Sequence, residues 1–314
     1  GPVAPAQIPE SSRRESVILS IQVPRIFGIF FNQTRVPILA DRNIREAMEL
    51  ALDKKEIAEH TVSGGATPLD APLVWLDNET SSSSAALNDY DPEQAKQILE
   101  KAGWKDFNGD GIREKEVKQK VTKPAKNTKR SAREAPKKLE DSVPLRFTLT
   151  TSDWPDLVQT ADKIKDMLGK VGIDVVVEKK TFADLESSVI RPRNFEVLLF
   201  GQAYGYEPDP FAFWHSSQIK DPGLNVALYA NQKIDKLLEE ARLTNTPLER
   251  AQKLLAFSDG ISKDIPAIFL FSQLYFYLLP SDLKGVSLTR ISLPADRFTD
   301  IAQWYRKQRR VFIR

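Results

Sequence analysis

Residues 145–178 read LRFTLTTSDWPDLVQTADKIKDMLGKVGIDVVVE. The hydrophobic period changes twice along this stretch. Leu145–Thr150 alternates like a half-buried strand. Leu157, Ala161, Ile164 and Leu168 then recur at helical spacing, which predicts a helix over Leu157–Val171 that ends at Gly172. Ile173–Glu178 returns to a β-prone run. Outward from there, Phe182–Arg191 reads as a short helix and Phe195–Phe200 as a third, apolar strand. Strand–helix–strand alternation at this spacing predicts an α/β fold with a parallel or mixed sheet flanked by helices.

The flanks extend the pattern. Ser16–Phe31 is apolar and β-prone, with Pro24 and Gly28 as breaks. Asp41 is placed to cap a helix running to about Glu59, with Ile44, Met48 and Ala51/Leu52 as its apolar stripe. Gly64, Gly65 and Pro68 mark a loop, and Ser81–Ser84 reads as flexible surface. Asp91 is an N-cap, Pro92 fits the first helical position, and Gln94 completes a pattern like a capping box. Ala95, Ile98, Leu99 and Ala102 form that helix's buried face, and Gly103 stops it. Two further helices are predicted at about Asn231–Leu243 and Pro247–Lys263. The most apolar stretch, Ile265–Pro280, is too short to span a bilayer and is interrupted by Pro266, Ser272 and Gln273; it reads as two buried strands. No internal repeat is evident.

Composition narrows the function. The 314 residues suffice for one large domain or two ordinary ones. The net charge of +2 gives no general reason to expect a nucleic-acid partner. With no cysteine, disulfides, Cys-ligated zinc, iron–sulfur clusters and thiol nucleophiles are excluded. The only histidines, His60 and His215, lie in no HExxH spacing, and no GxSxG, GxxxxGK[ST] or GxGxxG motif occurs. An enzyme is therefore not expected, nor a cofactor. Asp106, Asn108 and Asp110 open like a calcium loop, but Val117 stands where the bidentate Glu belongs. The alternative reading is a tight turn with Asn and Gly in left-handed conformations. Residues 115–138 carry ten Lys or Arg against two Glu. They read as a disordered basic insertion, either a solvated loop or an interaction module for an anionic surface or partner.

Five stretches, in order, resemble the peptide/nickel group of solute-binding proteins, family 5, the extracytoplasmic receptors of ABC importers. They are Phe30–Thr34 with Pro37, Asp41–Ala47 and Ala51–Lys54; Tyr90–Lys96 with Leu99, Ala102-Gly103-Trp104 and Asp106–Arg113; Tyr206–Phe211 with Phe213–Gln218; Ile234–Arg242 with Glu249-Arg250; and Asp264–Pro266 with Lys284–Val286. Together they span about Phe27 to Gly285. The resemblance implies a type II periplasmic-binding-protein-like fold, of which this chain is expected to hold the C-terminal lobe.

On that expectation, residues 1–15 are a tag remnant and linker, with Gly1-Pro2 as the scar. Residues 16–114 start the lobe, 115–142 are the basic insertion, 143–273 complete the lobe, and 274–314 return toward an N-terminal lobe. The implied role is binding a peptide or other small molecule outside the cytoplasm and handing it to an ABC permease, with a lipid anchor in the full-length protein. The implied ligand-binding residues are Gly201, Gln202, Ala203, Tyr204, Tyr206 and Asp209, with Trp214 behind them. Trp214 reads equally as a core residue, and Tyr204 and Tyr206 as packing aromatics. Dipeptide- and oligopeptide-binding members carry an Asp where this chain has Tyr204. A phenol cannot pair with a peptide's free amine by charge, so the ligand class stays open.

Overall fold

The structure, a computed structural model, describes residues 16–61, 65–74, 89–116 and 142–306. Most of the basic insertion, residues 117–141, lies outside them, as do residues 1–15, Ser81–Ser84 and 307–314. At its neck, β3 (Glu114–Glu116) pairs antiparallel with β4 (Ser142–Pro144).

The chain opens with β1 (Ser16–Phe31), a single strand despite Pro24 and Gly28. Next come α1 (Arg42–Leu50), α2 (Lys54–Thr61), β2 (Ala66–Pro68) and α3 (Pro92–Lys101). The one helix expected over Asp41–Glu59 is thus two. Its stripe is sound, since Ile44, Met48, Ala51 and Leu52 are all buried. However, the Asp53 carboxylate accepts the Glu56 amide (2.9 Å), a capping contact that starts a new helix. Asp91 caps α3 as expected, its Oδ1 accepting the Gln94 amide at 2.8 Å, and Gly103 follows at φ 89°. Asp91→Ala is expected to lower stability by about 1 kcal/mol, read as a fall in the urea midpoint.

The βαβ unit is β5 (Arg146–Ser152), α4 (Pro155–Gly169) and β6 (Asp174–Lys180). The short helix expected over Phe182–Arg191 begins as one helical turn and continues as a π-turn over Leu185–Ile190. Then follow β7 (Val197–Ala203), α5 (Phe211–Trp214), α6 (Gln232–Leu243), α7 (Pro247–Asp264) and β8 (Ala267–Pro280). β9 (Leu283–Lys284) and β10 (Tyr305–Arg306) form a small ladder at the end. β8 is one strand where two were expected. Ser272 and Gln273, read as interruptions, instead pair with Thr67 and Ala66 of β2, and the Ser272 hydroxyl donates to Val23 O at 2.6 Å.

The main sheet runs β2-β8-β1-β7-β5-β6 and is mixed. β5 lies parallel to β6 and β7, whereas β1 lies antiparallel to both β7 and β8. Alternation along the central strands divides the core. Phe27, Ile29 and Phe31 of β1, with Val197 and Leu199 of β7, face a cluster shared with α1–α4. Ile26, Phe30 and Leu198 face a second cluster built from α5–α7 and the π-turn. A sheet covered on both faces is what the apolar β7 run requires. Among the described residues, no helix is long and apolar enough to cross a membrane.

Candidate ligand-binding site

β7 ends at Ala203, and its two edges differ there. On one edge β1 pairs with it throughout, from Phe31↔Val197 to Arg25↔Ala203, and the Tyr204 amide donates to Pro24 O at 2.7 Å. On the other edge β5 meets it only at Leu149↔Val197 and Thr150↔Leu198, after which the Thr151 hydroxyl bonds Leu199 O (2.9 Å). In an antiparallel pair, alternate residues turn their main-chain groups toward the partner. Tyr204 and Gln202 therefore face β1. Gly201 and Ala203 present their N–H and C=O groups to the opposite edge, where β5 has ended.

Gly201 is required by its surroundings. A Cβ there would lie 2.7 Å from the Phe27 ring, which is stacked on Phe271 (centroids 5.1 Å apart) and meets the edge of Trp154 at 6.0 Å. Gly201→Val is expected to displace that ring and cost about 1–3 kcal/mol, measured by urea unfolding.

The other residues expected to bind ligand take different places. Ala203 is exposed. Gln202 and Tyr204 are buried, and Trp214 is completely enclosed by Phe30, Tyr229, Phe257 and Phe269. Three of them form a relay. Trp214 Nε1–H donates to the Tyr204 hydroxyl (3.1 Å), which donates to Gln202 Oε1 (3.4 Å). Burial pushes the Tyr204 pKa well above its ordinary value, so the hydroxyl keeps its proton. Tyr206 is half exposed. The Asp209 carboxylate grips Arg242 with contacts of 2.6 and 3.1 Å, and the Arg242 guanidinium sits 3.7 Å over the Phe211 ring. Glu207, the nearest acid that could replace the missing Asp, is exposed and paired with Arg250 (3.1 Å).

Several residues that hold this loop were not singled out from sequence. The buried Asn225 amide donates to the carbonyls of Trp214, His215 and Tyr229. Asp235 accepts both the amide (2.9 Å) and hydroxyl (2.6 Å) of Ser216. His215 stacks on Phe211 and lies 3.3 Å from Glu239 through Nε2. Its Nδ1 takes the Ser217 amide (3.1 Å) and lies 2.8 Å from the Ser217 hydroxyl. With the Ser217 backbone N–H as donor, that nitrogen caps the following turn, and the cluster anchors the loop. Asp235 and Arg242 fall inside a recognised motif, but nothing in the pattern assigns their partners.

The calcium-like loop brings Asp106 and Asp110 together with Glu114, which sequence reading did not include; their carboxylate oxygens lie within 4.8 Å of one another. Asp106 accepts the amides of Gly109 (2.6 Å) and Gly111 (3.0 Å), Asp110 that of Ile112 (2.8 Å) and Glu114 that of Phe107 (3.0 Å). Asn108 exchanges bonds with Asp110. Gly109 and Gly111 adopt positive φ, but Asn108 does not.

A mixed sheet clad on both faces by helices defines a layered α/β fold. The model for bacterial extracellular solute-binding proteins, family 5 (middle region), matches residues 2–225, and the chain belongs to that family. Among curated relatives, the oligopeptide-binding protein AppA of Bacillus subtilis is 27% identical over 253 residues, 79% of this chain and 41% of its own length. The nickel-binding periplasmic protein of Escherichia coli is 28% identical over 216 residues, covering 66% and 35%. The solved structure of B. subtilis AppA with a nonapeptide superposes with a TM-score of 0.69 at 24% identity, covering 96% of this chain and 55% of that one. NikZ from Campylobacter jejuni with Ni(L-His) gives 0.66 at 23%, covering 93% and 54%. The chain thus spans about two fifths of the first of these curated relatives and about half of the solved chains. These likenesses bear out the periplasmic-binding-protein-like fold expected from sequence.

Proposed function

We propose that this chain supplies one wall of the ligand cleft in an extracytoplasmic receptor of an ABC importer. The receptor takes up a peptide-like solute and does no chemistry on it. The observation that carries this reading is the free edge of β7, where Gly201 and Ala203 offer main-chain donors and acceptors to an extended ligand. Pairing a segment with such an edge is a general mode of peptide recognition. Ala203 and Tyr206 line the approach, and Gln202, Tyr204 and Trp214 lie behind it. Asp209 positions the loop through Arg242. Closure on the ligand by a second lobe, delivery to a permease and a lipid anchor complete the proposal.

Alternation provides the test. On adding trialanine to the full chain, amide hydrogen exchange followed by NMR is expected to slow at Gly201 and Ala203. Gln202, already facing β1, is expected not to change. Equal change at all three, or none at Gly201 and Ala203, overturns the strand-edge reading.

A further inference from the structure

The Gln202 amide nitrogen is buried without a hydrogen-bond partner, one of two such side-chain atoms among the described residues. The relay explains why it is left over. Trp214 Nε1 can only donate, so the Tyr204 hydroxyl accepts from it and has one proton to pass on. That proton goes to the Gln202 side-chain oxygen. The oxygen end of the amide is therefore engaged, and the nitrogen end is left to donate. Gln202 is only 3% exposed, yet its chain neighbour Ala203 is exposed at the free edge of β7. Leaving a buried donor unmet is costly, and an acceptor reaching it recovers that cost.

We propose that Gln202 is a specificity-determining residue: its amide N–H reads an oxygen acceptor on the ligand, a carbonyl or a carboxylate, and discriminates against an ammonium. This rests on the strand-edge reading above. It gives the end of β7 a neutral, donating polarity, opposite to that of an acidic side chain. The nearby acids do not restore a negative subsite, because Asp209 and Glu207 are each paired with an arginine.

The test titrates the full chain with three probes by calorimetry. Acetyl-trialanine amide has carbonyls only, acetyl-trialanine adds a carboxylate, and trialanine amide carries an ammonium. The better of the two acetylated probes is expected to bind at least roughly 10-fold more tightly than the ammonium probe, the worth of one well-made buried hydrogen bond. Which acetylated probe wins separates carbonyl from carboxylate. Gln202→Glu, which replaces the donor by an acceptor, is expected to abolish or invert the order. Gln202→Met, of similar shape and without either group, is expected to level it. A wild type that prefers the ammonium, or a Gln202→Met variant that keeps the wild-type order, overturns the inference. If all probes bind equally and exchange still slows at Gly201 and Ala203, the strand-edge reading stands and the role of Gln202 falls. If none binds, both fall.

Discussion

Trp214→Ala is expected to lower the free energy of unfolding by about 3–5 kcal/mol, the range for deleting a large buried aromatic side chain. The indole is completely buried at the centre of the second core cluster, against rings from β1, α7 and β8 and Tyr229. Its removal leaves a cavity and also deprives the Tyr204 hydroxyl of its donor. Trp214→Phe separates these effects. It keeps an aromatic ring in place and is expected to cost less, while still cutting the relay at its first bond. Urea unfolding of both variants checks the ordering; equal losses would show that packing around the indole contributes little beyond the hydrogen bond.

Arg45→Met is expected to cost a similar amount, about 3–5 kcal/mol, because each buried carbonyl left unmet costs about 1–3 kcal/mol. The buried guanidinium donates to Leu39 O (2.6 Å), Ile265 O (2.7 Å) and Asp264 O (2.8 Å). It thereby ties α1 to the C-terminal end of α7, where Ile265 is held at φ 48°. Arg45→Lys is expected to recover only part of the loss, since an ammonium does not reproduce the planar fork. Burial lowers the Arg45 pKa from its ordinary value, so the charge itself adds to the demand for three well-placed acceptors. A Lys variant as stable as the wild type, by the same unfolding measurement, would contradict this account.

The elements that sequence reading located well are those whose signals are local. The helix at Pro92–Lys101 has its cap, its proline and its stop within a dozen residues, and the period change across residues 145–178 is self-contained. One failure is local, and the others have non-local causes. Asp53 divides α1 from α2 by accepting an amide, and acids in a helical run usually signal nothing. Ser272 and Gln273 look like breaks until β2, two hundred residues earlier in the chain, supplies their partners. The sheet order, with β8 inserted between β2 and β1, has no local signature. The end of β7 was found through family resemblance. Its free edge depends on where β5 stops, and the polarity of Gln202 depends on a tryptophan that looked equally like core filler.

The pairing of β1 with β8 has a consequence for biosynthesis. Ser16 lies opposite Pro280 and Phe30 opposite Ala267, so the central strand gains its second neighbour only after β8 has been made. At translation rates of about 5–20 residues per second, β1 waits on the order of tens of seconds for β8. Arg25–Phe31 can pair with β7 earlier, but throughout that interval the other edge of β1 stays open. Such long-range closure is slow and favours aggregation of the waiting chain.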